Sequence, residues 1–173
     1  DSVLIIGGGI SGILHAQLAK FKGVQNVVVA DINQYRLGLA KKFGADHALD
    51  AKENLPQKLK EVNDGRLADQ VIVCTGATSA ALTALDCVEK GGTILFFAVP
   101  DPTVKVPLPI NQFWRNEITL RTSYGAAPND LEESMAVLAS KRLNIKDMIT
   151  HRLSLSEAQE GFRLMAQAGE SLK

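Results

Sequence analysis

The stretch from Val3 to Asp31 constrains this chain more than any other. A β-branched run, Val3-Leu4-Ile5-Ile6, ends in three glycines. A helical pattern (Ile10, Ile13, Leu14, Leu18, Phe21) starts inside the glycine-rich segment, and Gly23 stops it. A second run, Val27-Val28-Val29-Ala30, ends on Asp31. Short runs that are apolar on both faces suit strands of a parallel sheet covered by helices. The first 31 residues therefore predict a strand–helix–strand unit.

The same alternation continues. Gln34 to Phe43 reads as a helix with Leu37, Ala40 and Phe43 on one face and Gly44 as its stop. His47-Ala48-Leu49 is a short third strand, and residues 53 to 64 form a polar surface helix with Pro56 in its first turn. Val71 to Cys74 is the fourth strand, and Ser79 to Val88 a helix that carries Cys87 on one face. Gly91-Gly92 turns the chain into a fifth strand, Thr93 to Ala98. Four prolines between Pro100 and Pro109 mark a loop or edge element, and Glu117 to Thr122 alternates like an edge strand. Asp130 to Ala139 and Ser156 to Met165 are amphipathic helices, the second with Ser156 as N-cap. Six strands with helical crossovers predict an α/β, doubly wound parallel sheet in the order 3-2-1-4-5-6, the Rossmann arrangement.

Chemistry enters at Gly7-Gly8-Gly9-Ile10-Ser11-Gly12, a GxGxxG motif placed between a strand and a helix. Gly7 permits the turn off strand one, Gly9 lets a pyrophosphate approach the backbone, and Gly12 lets the helix pack close to the sheet. The helix start presents unpaired N–H groups and its positive dipole end to an anion, with Gly8 and Ser11 as further donors. Asp31 follows Gly12 by 19 residues, against about 20 expected for the acid that binds the adenosine ribose. A carboxylate there repels a 2′-phosphate, so the pattern predicts NAD over NADP. Arg36, one turn into the next helix, is the group that would favour NADP.

With these residues in view, the sequence resembles the cofactor domain of the zinc-dependent medium-chain dehydrogenases, the alcohol, sorbitol and threonine dehydrogenase group. Beyond the glycine loop, the resemblance rests on Asp31-Ile32-Asn33 through Arg36, Ala40 to Asp46, Cys74-Thr75-Gly76, Gly91-Gly92-Thr93, Ile149-Thr150-His151, Glu160-Gly161-Phe162 and Gly169-Glu170-Ser171. It implies that Cys74, Thr75 and Gly76 flank the adenine, and that Phe97, Ala98 and Val99 lie beside the nicotinamide. It also implies that the backbone at Thr122 and Tyr124 meets the carboxamide and that Lys173 reaches the pyrophosphate. Residues 1–145 would be the dinucleotide-binding domain, and 146–173 a segment leading back toward a catalytic domain outside this chain. That other half would carry the zinc, the proton relay and the alcohol site, so this chain would bind cofactor without turnover. The resemblance further implies a homodimer paired through the free sheet edge.

Other readings are weaker. Nineteen basic residues balance nineteen acidic ones, which gives no electrostatic footprint for nucleic acid or an anionic membrane. No apolar run approaches the roughly 20 residues of a membrane span. Two cysteines suit a reducing, cytoplasmic setting rather than a disulfide scaffold. Cys74, Cys87, His15, His47 and His151 match no zinc-ligand spacing. Leu39 and Pro128 stand where a Tyr-x-x-x-Lys pair would need lysine, and Ser79 and Ser123 have no glycine elbow. Trp114, beside Phe113, is expected in a satellite core cluster. Asp1 and Lys173 both read as cut ends. The alternatives are a stand-alone NAD-sensing regulatory module and a zinc-free relative similar to quinone reductases.

Overall fold

The computed structural model describes residues 1–167 and 169–172. Its strands are β1 (Ser2–Ile6), β2 (Asn26–Asp31), β3 (His47–Asp50), β4 (Ala68–Val73), β5 (Val88–Phe96) and β6 (Thr119–Thr122). They form one parallel sheet in the order β3-β2-β1-β4-β5-β6, as the alternation predicts. Helices α1 (Ile10–Phe21), α2 (Gln34–Lys42), α3 (Leu55–Val62), α4 (Thr78–Asp86), α5 (Ile110–Arg115), α6 (Pro128–Ala139) and α7 (Ala158–Gln167) connect and follow them.

β1 sits at the centre, with all five residues buried. Alternate side chains point to opposite faces. Leu4 and Ile6 join Val28, Ala30 and Val73 against α3, α4 and Phe113 of α5. Val3 and Ile5 join Val27 and Val29 against α1, α2 and the buried Met148 and Leu172. Gln17 of α1 ties down the chain near Met148: its Oε1 accepts the Asn144 N–H at 2.7 Å. At the opposite end of the sheet from the glycine loop, Asp69 accepts hydrogen bonds from the Ser2 N–H at 2.8 Å, the Ser2 hydroxyl at 3.1 Å and Arg66 at 2.8 Å.

The register decides what meets at the other end. Ile6 is paired with both Ala30 and Val73, Val73 with Phe96, and Phe96 with Thr122. Those five residues form one row across the sheet. The next residue along β1, β2, β4 and β5 is Gly7, Asp31, Cys74 and Phe97, so four candidate residues stand in a second row just beyond it.

The structure corrects several local expectations. Helix α4 ends at Asp86, and Cys87 is its buried C-cap rather than a helix-face residue. Strand β5 starts at Val88, and Gly91-Gly92 lies inside it as an irregularity where the β4 register shifts, not as a turn before it. It ends at Phe96, so Phe97 and Ala98 lie past the strand. The helix α5 was not visible in a six-residue stretch too short to show a period. Glu117 has a positive φ of 54°, so the edge strand cannot begin there and starts at Thr119. Trp114 is 74% exposed while Phe113 is buried, because neighbours on a helix point about 100° apart. A short 3-10 turn at Leu155–Glu157 precedes α7, so the capping residue is Ser154, not Ser156. The Ser154 N–H and hydroxyl both donate to Glu157. Helix α3 is less of a surface element than its polarity suggests, since Leu55 and Leu59 are buried.

Candidate functional site

The glycine loop rises from the middle of the residue row. The Gly7 N–H continues the ladder by donating to the Ala30 carbonyl at 2.8 Å, and then the chain turns with φ at +106°. That conformation disfavours any side chain. At Gly12 the demand is proximity: a Cβ there would lie 2.9 Å from the Gly7 carbonyl carbon. Helix α1 thus packs directly on the loop that feeds it. At Gly9 a Cβ would meet only the Arg36 guanidinium, at 3.9 Å, so the space over the loop is open.

Gly9 is the N-cap of α1, with no side-chain cap bond and no acidic residue in the first turn. The free N–H groups of Ile10 and Ser11 therefore have neither a capping oxygen nor a competing carboxylate, which suits an anion.

Asp31, 7% exposed, is fixed by two backbone donors. Gly8 N–H donates to Oδ2 at 2.6 Å and Asn33 N–H to Oδ1 at 2.8 Å. A carboxylate offers about four lone-pair sites, so each oxygen keeps capacity for a further donor. Asn33 also caps α2 by accepting from the N–H groups of Tyr35 and Arg36. Its contribution was readable as an Asn immediately before a helix, yet the sequence reading gave it no role. Ile32 is 62% exposed at the rim. Arg36 has a buried Nε with no protein partner among the described residues.

A cleft of about 250 Å³ lies over this row, lined by Gly7, Gly9, Asp31, Arg36, Cys74 and Thr75 among others. Its floor includes Ala51, Leu55 and Ala80, which sequence reasoning missed because they are ordinary small or apolar residues of distant elements. Cys74 is mostly buried, and burial pushes its thiol up to about 12. Its backbone N–H donates to the Ile6 carbonyl, while Phe97 and Ala98 both donate to the Val73 carbonyl. The ends of β4 and β5 are thereby locked to the row. Phe97 is 43% exposed, and its ring meets the His15 imidazole in an edge contact at 4.6 Å. Val99 is exposed and Thr122 closes β6 at the far side of the row. The Tyr124 side chain is fully exposed and packs on none of these groups. Lys173 lies outside the described residues. Among the described residues no three His, Cys, Asp or Glu side chains are grouped to hold a metal, and no helix is long and apolar enough to cross a membrane.

The chain is 34% identical over its whole length to an L-threonine 3-dehydrogenase from Escherichia fergusonii, covering 50% of that protein. It thus spans about half the length of the curated relatives it matches. It superposes with a TM-score of 0.88 on an alcohol dehydrogenase from Thermus sp. ATN1, at 27% identity, covering 99% of this chain and 50% of that one. A zinc-binding dehydrogenase from Sinorhizobium meliloti 1021, solved bound to NADP, gives a TM-score of 0.86 at 25% identity, covering 92% of this chain and 47% of that one. Residues 11–140 match the family described as zinc-binding dehydrogenase, and the chain belongs to that family.

Proposed function

We propose that the cleft binds NAD and that the chain is the cofactor half of an oxidoreductase acting on an alcohol or polyol. The observation that carries this reading is Asp31, held by Gly8 of the phosphate loop beside the open start of α1. A dinucleotide crosses such a sheet at the point where strand order reverses, here between β1 and β4. The adenosine ribose then donates to Asp31, with the adenine between Ile32 and the Cys74-Thr75-Gly76 turn. The pyrophosphate lies over residues 7 to 12, and the nicotinamide half over residues 97 to 99 and the end of β6 at Thr122, near Tyr124. Lys173 completes the assignment.

When bound, the nicotinamide supplies the hydride acceptor for the substrate's carbinol carbon. This chain's own part is to bind, orient and fix the face of that ring. Among the described residues no side chains are grouped to hold zinc, and we assign it to the other half of the protein. Both named relatives, a threonine and an alcohol dehydrogenase, support a substrate bearing a hydroxyl group. Residues 146–173 serve as the return to that other half. Exposed Phe162 and Met165 on α7 support this, while Met148 and Leu172 anchor the segment. Two free cysteines, both largely buried, suit a cytoplasmic setting. The exposed edge at β6, flanked by Ile110 and Trp114, supports pairing of two copies. The chain's only tryptophan reports it: acrylamide quenching of Trp114 should fall as concentration rises.

Calorimetric titration with NADH and NADPH tests the cofactor reading. NADH should bind at least about tenfold tighter, the equivalent of about 1.4 kcal/mol. The second reading, NADP, is favoured by the orphaned Arg36 Nε, and equal or reversed preference would establish it. Binding of neither nucleotide would refute both.

A further inference from the structure

His15 stands where the glycine loop, the end of β4 and the end of β5 come together. Its Nδ1 is 2.8 Å from the Ser11 carbonyl, in the first turn of α1 directly after the loop. A carbonyl only accepts, so Nδ1 carries the hydrogen and the tautomer is set. The same nitrogen lies 3.6 Å from the Cys74 sulfur. The imidazole also meets the Phe97 ring at 4.6 Å with the planes 74° apart. Ring pairs prefer this edge geometry.

Phe97 needs such a neighbour. Beside it runs an apolar groove of about 460 Å³ between α1 and α6, lined by Leu14, Leu18, Val137 and Leu138 as well as by His15 and Phe97 themselves. A ring that is 43% exposed beside an open groove has room for more than one rotamer. The imidazole, held by the Ser11 carbonyl in the first turn of α1, is the ring that Phe97 meets.

We propose that His15 is a positioning residue for the nicotinamide half of the cofactor. It acts through Phe97, and it couples that ring to the first turn of α1, beside the pyrophosphate position. The inference rests on the cofactor reading above. His15 approaches the adenosine side only at the Cys74 sulfur, 3.6 Å away, so ADP-ribose should depend on it less than NADH does.

The test compares NADH with ADP-ribose, which lacks the nicotinamide, in the complete protein. H15A should weaken NADH about fivefold, the weight of one aromatic edge contact, and ADP-ribose by clearly less. The emission of bound NADH should move toward that of the free cofactor. H15F, which restores a ring at the same place but not the bond to Ser11, should recover part of both signals. F97A should reproduce the H15A loss, and the double variant should be no worse than F97A alone. If H15A does not fold, F97A still reads the loss and H15F the recovery. Equal weakening of NADH and ADP-ribose, unchanged NADH binding, or additive effects of the two substitutions would overturn the proposal. If neither ligand binds the unaltered protein, the cofactor reading falls, and this inference falls with it.

Discussion

Substituting Gly12 by alanine should damage the fold and the site together. A Cβ at this position would stand 2.9 Å from the Gly7 carbonyl carbon, closer still to its oxygen, and 3.4 Å from Ile5 Cγ2. Carbon atoms normally rest about 3.5–4.0 Å apart, so α1 must retreat from β1 by something near 1 Å. Ile13 and Ala16 are fully buried on that helix. A gap of about 0.5–1 Å forfeits a quarter to a half of each contact's attraction. Overpacking of this kind costs about 1–3 kcal/mol. The obstacle is backbone, not a side chain that can swing away, so the upper end is expected. The retreat also carries the Ile10 and Ser11 N–H groups off the pyrophosphate position, and NADH affinity should drop by about tenfold or more. Gly38 is the control: it sits in α2 with nothing within 4 Å of an added Cβ. G38A should stabilise by about 0.5–1 kcal/mol and leave binding alone. Urea titration gives the stabilities and calorimetry the affinities. A G12A protein as stable as the unaltered chain and binding NADH equally well would refute the reasoning.

Three further outcomes are expected. D31N removes the charge that Gly8 and Asn33 hold in place; NADH should weaken by about 1.5–3 kcal/mol, NADPH by less, and an unchanged NADH-to-NADPH ratio in calorimetry would contradict the ribose assignment. At Asp69, partial burial is the largest single influence and opposes ionisation, but the bonds from Ser2 and Arg66 outweigh it together, and the pKa is lowered from 3.8. Its contribution to stability is therefore present above 3.8 and lost as pH falls through the lower folded value. D69N should cost about 1–2 kcal/mol at neutrality and flatten the acid arm of stability, checked by urea titrations from neutral pH to below 3.8. Burial pushes the thiols of Cys74 and Cys87 up to about 12. Neither should react with a thiol reagent near pH ~8 until the chain is unfolded, and labelling of Cys74 in the native state would contradict the burial found at the end of β4.

The sheet order and the phosphate loop were legible in the sequence because their signals are local. Strand, glycines, helix and acid fall within the first 31 residues, and each has a period or a stereochemical demand that needs no distant partner. The boundaries missed were those set by backbone conformation at single residues, such as the positive φ of Glu117 or the capping box at Ser154. What only the tertiary structure decided lies between elements far apart in the chain. Strand pairing put Gly7, Asp31, Cys74 and Phe97 in one row, and it brought His15 to Cys74 across 59 residues of sequence. It turned Trp114 outward and left the Arg36 Nε buried without a partner among the described residues. None of these has a period to read. Each depends on which strands lie side by side and in what register, and that is fixed by the burial of the central strands between two layers of helices.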